Sequence, residues 1–515
     1  MGGVALSAVS GCEAAAPLVG AVGVGGRSPD LDAAIALTRF GMGARPGDLE
    51  RVGSDARGWL KAQIRPEGAD QPVGPDLESG AATMATYREF RDFRRQSLRA
   101  ATAMTGDAEP SPDPAPVSPQ DARAARLARR EARRAAAEAA PGSVRPDRGD
   151  SAVGRLSAEV GARIALAVGA EAGFRERWTL FWANHFSVSA VNQGMRFLAG
   201  VFEREAIRPH VFGRFDDMLL ASTQHPGMLT YLNQAESVGP GSAQGQRRGR
   251  GLNENLAREI LELHTVGADA GYGQADVTEF ARALTGWTIG RANEPTAGNF
   301  VFRATGHEPG ARRVLGRTYP EGGEAQARAI LASLAADPRT AKRLCRKLAA
   351  HFVADDPPPV LVARLERAWT GSDGDLAAVA NALIDAPEAW TPAANKMKTP
   401  YDWVVSAHRA LGARASRDPT IGALAELGAR PLSPPSPEGW PDEAAAWATP
   451  SGMVKRLAYA EMLSASADPA LGPEAIAQAA LGARLRPATA TAVARAESRA
   501  EALTLLLMSP EFQRR

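Results

Sequence analysis

Cysteine is nearly missing from this 515-residue chain. Only Cys12 and Cys345 occur, too few and too far apart for a disulfide framework or a four-cysteine zinc site. Lysine is scarce as well. Six of the 60 basic residues are lysine (Lys61, Lys342, Lys347, Lys396, Lys398 and Lys455), so nearly every cation is a guanidinium, a planar fork suited to carboxylates and phosphates. No excess of either sign exists: 60 basic residues face 58 acidic ones, a formal charge of +2. Nucleic acid is therefore not an expected partner, since its binders carry a clustered basic excess. After residue 26 no stretch approaches the ~20 apolar residues that span a bilayer. GxGxxG, Walker, HExxH and GxSxG patterns are all lacking, and so are a fixed-period repeat and a βαβ alternation.

The N-terminus lacks a signal-peptide n-region. Glu13 is the only charge in residues 1–26, and Val9-Ser10-Gly11-Cys12 resembles a lipoprotein cleavage box behind a short Gly-rich segment. Residues 1–28 are expected to be a disordered tail or a remnant signal, with a cytoplasmic location favoured over export.

What is present is ordinary globular composition, 44% hydrophobic and 23% charged, in a chain long enough for a large core. The expected fold is mainly α: a large multi-helix globular bundle with one small β-hairpin near 298–319. Helical patterns cover 31–64, 82–105, 154–170, 172–187, 195–208, 212–222, 252–266, 274–285, 322–415 and the end of the chain. Asp30 is the expected first cap, and Pro46 the expected start of the next helix. Phe300 and Phe302 alternate with polar neighbours, and Arg313–Tyr319 reads as their return strand. Five prolines within 106–119 precede an Ala/Arg-rich stretch, so 106–150 reads as a linker. It separates an N-terminal helical segment (29–105) from a main helical domain (151–515), the two packing as one unit.

Seven histidines occur, five of them between His185 and His307. Phe181-Trp182-Ala183-Asn184-His185-Phe186 sets two polar side chains in an aromatic run, either a pocket wall or a hydrogen-bonded core. In Gly251–Gly267, Leu252, Leu256, Ile260 and Leu263 form an apolar stripe. Asn255, Glu259 and Glu262 form a second stripe beside it, and Glu254, Arg258 and Glu262 an i,i+4 ladder. Carboxylates bordering a seam need a metal or an arginine. One reading makes Glu259, Glu262 and His225 ligands of a divalent metal, as in helical carboxylate sites. The other pairs those glutamates with Arg204, Arg208 or Arg282. Glu205 and Arg208 are an expected i,i+3 pair. The candidate catalytic set is Asn184, His185, His225, Glu259, His264 and His307.

The runs FWANHFSVS, FEREAIRPHVFGRF, STQHPGMLTYLN and RGLNENLAREILELHTVGADAGYGQADVTEFARALTGWT, with ALTRFGMGARPG, FVFRATGHEPGARRVLG and KMKTPYDWVVSAHRALG, resemble the bacterial family called domain of unknown function 1800. The resemblance covers about residues 31–513. Gly227 in HPGM departs from the small residue such as Ala expected there. The family carries no established reaction. The resemblance implies a secreted protein encoded by a neighbouring gene as a partner.

Two function classes stay open at this point. One is a hydrolase-like, metal-dependent enzyme with a Glu/His/Asn site between helices. The other is a non-catalytic scaffold that docks a partner through residues 106–150. Phosphate or nucleic-acid binding through the arginines is a weaker third.

Overall fold

Proline places many of the helix starts. It lacks an N–H, and its φ is already helical, so it suits the first turn. Pro29, Pro226, Pro338, Pro359, Pro400, Pro450, Pro473, Pro487 and Pro510 each open a helix in the computed structural model, often behind a side-chain cap such as Asp337, Thr399, Thr449 or Ser509. The structure describes residues 28–104, 151–248, 251–412, 415, 417–467 and 469–515. The whole 106–150 linker, with the docking role read into it, and all of the expected tail except residue 28 lie outside the described residues.

The fold is mainly α. The first helix runs Pro29–Ile35, with Ser28 rather than Asp30 at its N-cap. Pro46 does not start the next one. Gly47 takes a left-handed conformation (φ 83°) and the helix begins at Asp48, whose carboxylate accepts the Arg45 N–H instead. Gly80–Met104, Ala152–Gly169, Gly173–His185 and Gln193–Phe202 come next. No helix among the described residues is long and apolar enough to cross a membrane.

The strands differ from expectation in pairing. β1 (Trp287–Ile289) pairs antiparallel with β2 (Phe300–Phe302), while β3 (Arg312–Val314) pairs with β4 (Arg317–Tyr319). The 298–319 segment is thus one half of a first ribbon and the whole of a second. Leu315-Gly316 makes the tight turn that closes β3 onto β4, both residues at positive φ. That closure leaves β2 free to bond upstream.

Among the described residues three helices widen into π turns: Ala36–Phe40, Glu203–Ile207 and Ile260–His264. A π turn bonds i to i+5 and rotates the residues after it about the helix axis. In the third, Leu256, Ile260, Leu261 and His264 are buried and Leu263 is only partly covered, so the apolar stripe turns through Leu261 where straight α geometry predicts Leu263.

One apolar cluster joins Ala33–Met84 with Ala152–Trp390, around Trp178, Trp182 and Trp390. A second gathers the Pro400–Ala410 helix with Pro450–Ala465, Pro473–Leu481 and Arg499–Met508.

Candidate functional site

Buried charge comes first, because burial forces each charge to find a partner. Arg208 is fully buried and forks onto Glu176 at 2.8 and 2.9 Å and onto Glu203 at 2.7 and 2.9 Å. Glu203 also accepts from Arg163 at 2.7 Å. Burial pushes the Glu203 carboxyl up, but Arg163 and Arg208 outweigh it and hold it below the usual range. The expected Glu205–Arg208 pair does not form. The π turn brings residue 203, five before Arg208, under the guanidinium. Glu205 instead accepts from the Gly80 N–H at 2.6 Å and from His225 Nε2 at 3.2 Å.

None of the three expected arginines meets Glu259 or Glu262. Arg204 binds Glu159, Arg282 binds Glu279, and Arg208 is engaged as above. The Glu254–Arg258–Glu262 ladder is present, at 3.4 and 3.6 Å. Glu259 is half-buried, and burial together with Glu262 raises its pKa. His225 Nδ1 accepts from the Gly227 N–H at 2.9 Å and so caps the Pro226–Tyr231 helix. With Nε2 on Glu205, both its ring nitrogens are committed. Among the described residues no three His, Cys, Asp or Glu side chains gather as a metal-binding group. Gly227 has its own reason: a Cβ there would stand 3.0 Å from His225 Nδ1 and 3.2 Å from Phe202 Cβ.

His307 is buried and donates from Nδ1 to the Thr285 carbonyl at 2.9 Å. His264 is buried, and burial with Arg343 and Lys347 nearby holds it at about 3. Neither lines the cavity that takes in Asn184 and His185.

That cavity has a volume of about 560 Å³. Its wall is built from the Gly173–His185 helix (Phe181, Asn184, His185), the Pro338–Phe352 helix (Lys347, His351), residues 396–402 (Lys396, Tyr401, Asp402) and the proline-rich 429–443 loop (Trp440, Asp442). Asn184 fastens that loop. Its Nδ2 donates to the Trp440 carbonyl at 2.9 Å, and its Oδ1 accepts the Trp440 N–H at 2.8 Å. Gly439 makes the approach possible: its φ is +93°, and a Cβ would sit 2.5 Å from the Asn184 carbonyl oxygen. Gly439→Ala is therefore expected to lower stability by about 1–3 kcal/mol, seen as an earlier urea midpoint. It should also detach Trp440 from Asn184, which tryptophan fluorescence reads.

The fastened loop carries Asp442 to His351. His351 Nδ1–H donates to Asp442 Oδ1 at 3.1 Å, which leaves the lone pair of a neutral ring on Nε2. That Nε2 is buried and has no hydrogen-bond partner among the described residues. Lys396, itself buried, bridges Asp442 Oδ2 at 3.0 Å and Asp355 Oδ1 at 2.7 Å. Burial pushes the Asp442 carboxyl up, but His351 and Lys396 outweigh it and hold it at about 2. Below, Asp402 accepts from Arg177 at 3.1 Å and Arg515 at 2.5 Å, and Arg515 donates to the His351 carbonyl at 2.9 Å.

The candidate set therefore divides. Asn184 and His185 reach the cavity, while His225, Glu259, Glu262, His264 and His307 do not line it. Sequence reasoning missed His351, Asp442, Lys347 and Lys396. One signal is available: lysine is scarce, yet Lys396 and Lys398 are buried and Lys347 lines the cavity.

Fold and site together define a mainly helical protein with a carboxylate-held imidazole on the wall of a cavity, under a proline-rich loop. The chain belongs to the family described as Protein of unknown function (DUF1800), whose model matches residues 35–514. No curated protein and no solved structure matches it.

Proposed function

We propose that this chain is a hydrolase-like enzyme whose reaction centre is the Asp442–His351 pair. The observation that carries this is a cavity-wall imidazole fixed through Nδ1 by a carboxylate, with Nε2 buried and unpartnered among the described residues. A buried nitrogen in that state costs free energy unless something supplies a partner. In the proposed reaction, Nε2 takes a proton from water as the oxygen attacks an electrophilic carbon. Asp442 stabilises the imidazolium, and the proton then passes to the leaving group. Asn184 is a positioning residue, since it holds the loop that carries Asp442. Glu259, Glu262 and His225 do not converge, so no step is routed through a metal on them.

The test is turnover of a panel of nitrophenyl esters, N-acyl amides and glycosides by wild type and His351→Gln. A general base is worth about 10²–10⁴-fold, and a loss of that size with unchanged circular dichroism is expected. Equal rates in the two proteins, or no turnover of any class by wild type, would overturn the assignment.

A further inference from the structure

Of the lysines and arginines that line the cavity among the described residues, Lys347 alone has no ion pair with a carboxylate. Lys396 has Asp355 and Asp442, Arg163 has Glu203, and Arg177 and Arg515 share Asp402. Lys347 lines the same cavity, and its Nζ meets His185 Nδ1 at 3.5 Å. The direction of that contact is set by the far side of the ring. His185 Nε2 lies 3.1 Å from the His264 carbonyl oxygen. A carbonyl only accepts, so Nε2 carries the hydrogen and Nδ1 holds a lone pair. Burial together with Lys347 and Arg343 keeps the His185 ring neutral. Lys347 thus spends one N–H on a neutral acceptor and keeps two for the cavity.

We infer that Lys347 anchors the carboxylate of a monoanionic, largely apolar substrate whose reacting centre lies one helical turn from that carboxylate. Lys347 and His351 are i and i+4 on the Pro338–Phe352 helix and both line the cavity, a spacing of about 5–6 Å between Cβ atoms. Phe181, Tyr401, Trp440 and Trp447 supply apolar wall. A dianion such as phosphate fits less well, because Asp355, Glu438, Asp442 and Glu443 also line the space and oppose a second negative charge. Burial and Arg343 lower the Lys347 pKa to about 8, while Asp442, Glu438 and Glu443 act in the opposite direction. The ammonium is thus mostly charged at neutral pH.

The word substrate rests on the enzyme reading; the anchor does not, and the experiment keeps the two apart. The full chain is titrated calorimetrically at pH 7 with benzoate, phenylacetate and 3-phenylpropionate, and with the corresponding amides. Saturable one-to-one binding of at least one carboxylate and of no amide is expected. Lys347→Met should weaken it about 10-fold or more, as for a lost charged hydrogen bond, while His351→Gln retains it. In wild type, the ¹⁵Nζ resonance of Lys347 should shift on binding, which covers the case where the variant misfolds. Binding by Lys347→Met equal to wild type, an unmoved Nζ resonance, or no saturable carboxylate binding overturns the anchor. If His351→Gln keeps full turnover while binding still needs Lys347, the hydrolase reading fails and the anchor stands.

Discussion

Arg208→Leu is expected to cost about 3–5 kcal/mol of unfolding free energy, the range for removing one partner of a buried ion pair. The guanidinium is fully buried and satisfies Glu176, Glu203 and the Asp70 carbonyl together. The two carboxylates fare differently without it. Glu203 keeps Arg163 at 2.7 Å, whereas Glu176 has no other ion pair among the described residues. A second change, Glu176→Gln, should therefore recover the larger share of the loss in the Arg208→Leu background. Glu203→Gln should recover less. Urea unfolding of the single and double variants measures this, and equal recovery by both would contradict the geometry.

Arg208 also illustrates how far a sequence can be read. Its i,i+3 neighbour Glu205 is the natural partner on an α-helical wheel. The π turn at Glu203–Ile207 changes the periodicity, and no residue there advertises it. The same kind of turn shifts the apolar stripe from Leu263 to Leu261. Elsewhere the helix ranges are well placed: Gly173–His185 and Gln274–Leu284 fall within two residues of their expected ranges, the second because its apolar face repeats at helical spacing, whereas the first is buried on nearly every side. The small sheets are harder. Trp287–Ile289 is three residues long, too short for alternation to show, so β2 pairs upstream where the sequence pattern points downstream.

The site is half legible for a related reason. Asn184 and His185 stand out as polar residues inside an aromatic run, and both reach the cavity. His351 has no such contrast, as it ends an ordinary Ala-rich helix turn. Its partner Asp442 lies 91 residues later in a loop without secondary structure. Only the fold brings them together. The Glu-rich 254–264 segment stands out through local density of charge, yet Glu254 and Glu262 are served by their own neighbours, Arg258 and Tyr272. Local density reports solvated ladders as readily as sites, whereas convergence of distant residues is what makes a cavity reactive.

Asp442→Asn separates orientation from charge at that convergence, and it should reduce turnover by about 10⁴-fold, the size seen when a carboxylate behind a catalytic histidine becomes an amide. The introduced amide can turn its NH₂ toward His351 Nδ1, which then holds the lone pair while Nε2 carries the hydrogen. The ring loses the form that accepts a proton from the cavity. Lys396 keeps Asp355 at 2.7 Å in either case, so the ammonium is not stranded. The variant should also lose a segment of acid sensitivity. The Asp442 carboxyl is lowered from 3.8 to about 2 in the folded chain. Its ionised form therefore stabilises the fold fully above about pH 4, and that contribution disappears as pH falls through about 2. Wild type should show this loss between pH 4 and 2 in urea midpoints, and Asp442→Asn should show a flatter profile across the same window. Undiminished turnover by Asp442→Asn, with its flatter acid profile intact, would mean that Asp442 serves stability alone and that His351 needs no carboxylate to act.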